Sequence, residues 1–170
     1  DGMLFTKEIS RNCKKGKVIE ADIQSDILKI VVKDRYKDLS PARGFITGFG
    51  LKSGAFASSV AHDSHNIICI GTNDRDIVNA VNEVIRMKGG LATANGKNID
   101  SLPLPVAGIM SDQPVNKVAV AYEKLSQKVK RNGCKMSAPF MTLSFMALLV
   151  IPELKICDKG LFDSKRFCPV

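Results

Sequence analysis

Asn66-Ile-Ile-Cys-Ile-Gly-Thr-Asn-Asp-Arg-Asp-Ile-Val-Asn-Ala-Val-Asn-Glu-Val-Ile85 decides the fold class. Its opening, Asn66 to Thr72, is a continuous apolar run of buried-strand length, with β-branched Ile67, Ile68 and Ile70. Thr72, Asn73 and Asp74 then offer side-chain oxygens that can cap a helix, and acidic residues suit the positive end of its dipole. Ile77, Val81, Val84 and Ile85 recur at i, i+4, i+7 and i+8, one face of a helix. Gly89-Gly90 stops it.

Upstream, residues 27–35 are rich in β-branched residues and read as a strand. Pro41 and Gly44 punctuate the chain after it, and 44–50 carries Phe45, Ile46 and Phe49 as a second strand. Lys52-Ser53-Gly54 signals a turn before a small-residue strand over 55–60. Downstream, Leu91 to Ala94 and Asn95-Gly96 predict a hairpin. Residues 102–109 contain two prolines and read as an edge or irregular strand.

A second helix is expected from Pro114, with Val118, Tyr122, Leu125 and Val129 on one face and Gly133 closing it. Residues 140–149 read as a short buried helix ended by Pro152, and 155–170 as irregular chain. The pattern predicts an α+β fold, one or more mixed or antiparallel β-sheets packed with two to three α-helices. Residues 1–170 read as a single domain, with 1–26 a linker or a leading strand.

A chain of 170 residues with 45% hydrophobic and 25% charged residues can bury a core and is not a disordered composition. The net charge is +8, yet its 25 Lys and Arg are dispersed. Lys14, Lys15 and Lys17 form the densest cluster, and Lys124, Lys128, Lys130 and Arg131 a looser one. Without a long basic run, this argues for a solvated face and against a nucleic-acid partner. Five cysteines, at 13, 69, 134, 157 and 168, form no CxxC and read as reduced intracellular thiols. No signal peptide is recognisable, and the apolar stretch 140–151 is too short to span a bilayer. The chain opens Asp1-Gly2 rather than with Met, which fits an excised fragment or a cleaved tag.

Chemistry concentrates in Ala61-His62-Asp63-Ser64-His65-Asn66, which holds both histidines of the chain between two apolar strands. On an extended backbone His62 and Ser64 would share one face, and Asp63 and His65 the other. An aspartate beside a histidine can fix its tautomer and raise its basicity. A hydrogen-bonded structural knot at a strand end is the alternative. The ligand types suit a transition metal, but the spacing matches no metal signature and no third histidine exists. Ser58, Ser59 and Ser64 supply nucleophile types without the elbow that a triad needs. Gly48-Phe-Gly-Leu-Lys-Ser-Gly54 resembles a phosphate loop, but a strand rather than a helix N-terminus is expected after it. Met110-Ser111-Asp112, after two prolines and Gly108, reads as a loop into the second helix.

Taken in order, several segments resemble one family. They are 48–55, 57–66, Gly71-Thr-Asn-Asp74, Gly89-Gly90, Leu102-Pro-Leu-Pro105 with Gly108-Ile-Met-Ser-Asp112, Pro139-Phe-Met-Thr-Leu-Ser-Phe145, 150–155 and Asp158-Lys-Gly-Leu161. The set is similar to the C-terminal domain of bacterial-type adenine deaminases, in the amidohydrolase superfamily, over roughly residues 27 to 165.

The resemblance implies hydrolysis of adenine to hypoxanthine and ammonia, a step of purine salvage in the cytoplasm. In that family a binuclear manganese or iron centre on a (β/α)₈ barrel generates the hydroxide that attacks C6 of the purine, and barrel groups protonate the leaving amine. That barrel and its His-x-His are absent from these residues. The chain is therefore expected to be inert alone, to bind no metal itself, and to work with its own N-terminal barrel in a homo-oligomer. His62, Asp63, Ser64, His65 and Asn66 are then the candidates for a substrate pocket or lid at the barrel mouth. Tyr36 departs from the family pattern, in which a histidine is expected after the arginine. A free-standing anion- or nucleic-acid-binding module and a purely structural or oligomerisation domain are the alternatives.

Overall fold

The strand–helix unit at 67–86 lies at the centre of the fold, in a computed structural model that describes residues 4–12 and 18–170. Asp1-Gly2, Cys13 and the cluster Lys14, Lys15 and Lys17 lie outside the described residues. In chain order the elements are β1 (Leu28–Lys33), β2 (Ala42–Ile46), β3 (Ala55–Ser58) and β4 (Ile67–Gly71), then α1 (Asp74–Arg86). The hairpin β5 (Gly90–Asn95) and β6 (Asn98–Pro103) comes next, then α2 (Val115–Arg131) and α3 (Pro139–Ser144). A 3-10 turn at Phe145–Ala147 leads to β7 (Leu154–Cys157), β8 (Gly160–Asp163) and β9 (Cys168–Pro169).

Six strands form one sheet in the order β2-β1-β4-β3-β5-β6, and β7-β8-β9 form a second. Every pairing is antiparallel, so the α+β expectation holds in its antiparallel form. Central β4 is apolar and buried throughout because both faces of the large sheet are covered there. Val31, Ala57, Cys69 and Ala92 face α1, packing with Ile77, Val81 and Val84. Leu28, Ile30, Val32, Phe56, Ile68 and Ile70 face the opposite way, onto Leu125, Val129, Phe140 and Leu143 of α2 and α3 and Ile156 of β7. Phe56 and Phe140 meet edge to face with centroids 5.4 Å apart.

α1 begins as its sequence predicts. The Asn73 side chain accepts from the Asp76 amide at 2.9 Å and donates to the Asp76 carboxylate at 2.8 Å. Such a cap stabilises a helix by about 1 kcal/mol. The same buried carboxylate accepts the Gly96 amide at 2.9 Å and so ties the β5–β6 turn to the helix start. Gly71 is a glycine because α1 passes close: an added Cβ would sit 2.5 Å from Ile77 Cγ1 and 2.7 Å from the Ala55 Cβ.

Three expectations are corrected. The second strand ends at Ile46 rather than running to Gly50, because Gly48 and Gly50 turn the chain with φ of 101° and 72°. β6 starts at Asn98, and only Leu102 and Pro103 of the segment expected over 102–109 belong to it. As an edge strand it needs little apolar patterning, and its proline sits at its end. Residues 155–170 are not irregular but carry β7, β8 and β9. Alongside β7 runs the described N-terminal segment, where the Thr6 hydroxyl donates to the Leu154 carbonyl at 2.6 Å. Among the described residues no helix is long and apolar enough to cross a membrane.

Candidate functional site

The antiparallel order brings four connections to one end of the large sheet: 34–41, 59–66, 87–89 and 104–114. The His62–Asn66 knot is one of them, the link from β3 to β4. It is a tight turn rather than an extended strand end, which corrects the expected alternation of faces. The His65 amide donates to the Ala61 carbonyl at 2.7 Å, and His65 adopts a φ of 52°. Asp63 and Ser64 both project into solvent, His62 and His65 are half-buried, and Asn66 is buried.

The two rings meet edge to face with centroids 5.8 Å apart. His62 also packs on Phe145 at 5.2 Å, and its amide donates to the Ser144 carbonyl at 3.2 Å, so the end of α3 braces the knot. His65 Nδ1 is buried without a hydrogen-bond partner. Burial chiefly, then the neighbouring His62 and Arg35, push the His65 pKa down, while Asp63 pulls weakly the other way. His65 is therefore a neutral imidazole at neutral pH.

Arg35 links the knot to the neighbouring connections. Its amide donates to Asn66 Oδ1 at 3.2 Å, and Nη2 donates to the Ala107 carbonyl at 2.7 Å and to the Tyr36 hydroxyl at 2.9 Å. The guanidinium also lies over the Tyr36 ring, 5.0 Å from its centroid. Nη1 is buried and without a partner. Buried Ser59 completes the cross-linking, donating to the Gly108 carbonyl at 2.5 Å and accepting from the Gly90 amide at 2.7 Å.

Two cavities adjoin the knot. A small one of about 50 Å³ is lined by His62, Asp63, Ser64 and Asn66 with Val32 and Cys157. A wider one of about 340 Å³ extends from Ser64, Leu149 and Cys157 over Leu161 and Phe162 of the small sheet. The sequence drew attention to the knot but not to Arg35, Phe145 or Cys157 as its neighbours. These contacts join residues far apart in the chain, and no local spacing encodes them.

The other candidates resolve into structure. Ser58 bonds to the backbone of Val60, and Ser59 to Gly90 and Gly108, so neither faces a histidine as a nucleophile must. The Gly48–Gly54 loop does hold an anion, but it is the chain's own. Asp26 accepts the Gly48 and Gly50 amides at 2.8 Å each. Ser111 accepts the Gln113 amide in the loop leading to α2. On α2, Lys128 is paired with Asp100. Burial pushes the Cys69 and Cys134 thiols up, away from reactivity. Among the described residues no group of three or more His, Cys, Asp or Glu could hold a metal ion.

Residues 3–168 match the family model described as the adenine deaminase C-terminal domain. The chain is 55% identical over 152 residues to an adenine deaminase of Dehalococcoides mccartyi, covering 88% of this chain and 27% of that protein. It is 50% identical over 168 residues to an adenine deaminase of a Sulfurovum species, covering 98% of this chain and 30% of that protein. An adenine deaminase of Methanosarcina barkeri is 52% identical over 147 residues, 86% of this chain and 27% of that protein. The chain thus spans under a third of the length of these relatives. By the extent of the match and the level of identity, this chain belongs to the adenine deaminase C-terminal domain family.

Proposed function

We propose that this chain serves as the C-terminal domain of an enzyme that hydrolyses adenine to hypoxanthine and ammonia. The observation that carries this reading is the unbroken match of residues 3–168 to a domain of enzymes bearing that name. The manganese or iron centre that the family implies does not fit these residues. Two half-buried histidines set edge to face, with no cluster of carboxylates around them, cannot build a binuclear site. Metal chemistry therefore belongs to the barrel of the longer polypeptide, and no step of it is assigned to this chain. A reduced cytoplasmic setting and a homo-oligomeric enzyme of purine salvage complete the proposal.

Within that enzyme the knot acts as a wall or lid of the substrate pocket. Asp63 and Ser64 project from the sheet end as exposed hydrogen-bonding groups. His65, whose protonation its surroundings oppose, has Nδ1 buried and can offer only its other ring nitrogen to a purine edge, as donor or acceptor according to tautomer. His62, packed at a tilt against Phe145, narrows the approach and helps exclude water. The test is adenine turnover of the full-length polypeptide carrying His62→Ala, Asp63→Ala or His65→Ala. Turnover should drop with the melting temperature retained. Unchanged turnover together with lost thermal stability would leave the knot a purely structural turn.

A further inference from the structure

The two ends of the large sheet are finished differently. At the far end the connections are sewn down by side-chain and backbone bonds. Asp26 holds Gly48 and Gly50, Asp76 holds Gly96, Asn95 donates to Ser53 and Asn132, and Thr72 bonds the Gly54 carbonyl. No large exposed hydrophobic side chain occurs in the connections 47–54, 72–73, 96–97 or 132–138, and those exposed at this end in the described chain leading into β1 are Val18 and Ile19.

The knot end is also cross-linked, through Arg35 and Ser59, but it keeps more exposed apolar side chains and two buried polar atoms without partners. Tyr36, Leu39, Val106, Met110 and Val115 all stand exposed in its connections and at the adjoining start of α2. Arg35 Nη1 and His65 Nδ1, buried at the same end, have no hydrogen-bond partner. Apolar side chains gathered around polar groups that lack partners mark an interface rather than a solvated surface.

We propose that this end of the sheet is the docking face for the remainder of the same polypeptide, the part that makes up more than two thirds of the relatives' length. The inference rests on reading the chain as one domain of that longer enzyme. The relatives carry that length covalently joined to the domain, so a partner is always at hand, and its effective concentration makes a modest patch sufficient. Tyr36, Val106 and Met110 supply the apolar contact, and the knot lies beside them at the edge of the buried area. This places His62 to Asn66 next to the seam instead of deep within it.

Hydroxyl-radical footprinting of the full-length polypeptide tests the assignment, with adenine turnover measured on the same sample. Met110 and Met141 are equally exposed in the domain itself, at 55% and 53%, and Met141 on α3 lies outside the face. Docking predicts that Met110 oxidises roughly tenfold more slowly than Met141, with Tyr36 protected alongside it. Oxidation of Met110 within about twofold of Met141 overturns the proposal. So does protection that disappears on dilution, which would assign the face to a second copy of the chain. Protection without turnover leaves the docking face standing and removes the adenine reading. Turnover without protection does the reverse.

Discussion

The guanidinium of Arg35 occupies the space that a side chain at Gly108 would fill: a Cβ there would run into Nη1. Gly108 also has a φ of 74°, which disfavours other residues. Two independent reasons thus require glycine at 108, and one of them is Arg35. Gly108→Ala should destabilise the domain by about 2–4 kcal/mol, from backbone strain plus displacement of the bond to the Ala107 carbonyl. In an Arg35→Met background the cost of the same substitution should fall to roughly 1–2 kcal/mol, from the strain and the Lys88 carbonyl that would lie 3.0 Å from the added Cβ. Urea denaturation of the four proteins of this cycle measures it, and equal costs in both backgrounds would refute the contact.

Asp26 neutralises the amides of the glycine turn at 48–50, so its loss should be felt there first. Asp26→Ala removes a charged acceptor from two amides at once and should cost about 2–4 kcal/mol. Asp26→Asn keeps one acceptor oxygen and should cost about half as much. A search for phosphate binding at this loop should find none in the native chain, because the anion site is filled. Calorimetric titration of phosphate checks this, and native binding that Asp26→Ala leaves unchanged would contradict it.

The parts of the fold that could be read from sequence are those whose determinants are local. Asn73, Asp76 and the Ile77-Val81-Val84 stripe lie within a dozen residues, and the strand–helix unit forms as they indicate. β7 and β8 escaped because their stabilising partners are distant. Lys155 interrupts the apolar pattern of β7, yet it is buried, and only the carbonyl of Leu4 explains how. The knot was visible as a composition, five polar residues between two apolar strands. Its geometry was not, because the Ala61–His65 turn and the Phe145 brace override the alternation that an extended strand would impose.

His65 should titrate below the ordinary histidine value. Burial opposes its protonation most, and the nearby His62 and Arg35 add to that, against a weaker pull from Asp63. The unfolded chain takes up the proton near pH 6.5, the folded chain only at lower pH, so the unfolded state binds more protons in between. Stability is therefore lost as pH falls through that window. His65→Gln should flatten this part of the stability–pH curve, and Arg35→Met should move the His65 midpoint upward. NMR titration of the imidazole protons reads both effects, and a native midpoint above that of a model peptide would contradict the packing described.

Lys155 carries the largest uncompensated charge burial among the described lysines. Its ammonium donates to the Leu4 carbonyl at 2.6 Å, and burial lowers its pKa from 10.5 to about 8. Between those values the unfolded chain holds a proton that the folded chain has released, so stability rises with pH across the window. Below about pH 8 both states are protonated, and the full burial penalty, on the order of 3 kcal/mol, opposes folding. Lys155→Met keeps most of the side-chain volume and removes that penalty, while it forfeits one hydrogen bond of about 1 kcal/mol. The variant should therefore be more stable than the native chain by about 2 kcal/mol at pH 7. The advantage should shrink and then reverse as the pH approaches 10.5, where the native amine folds neutral at little cost and still bonds Leu4. Urea midpoints taken at intervals across this range decide the matter: a difference between variant and native chain that does not change with pH would show that the Lys155 amine keeps its proton throughout.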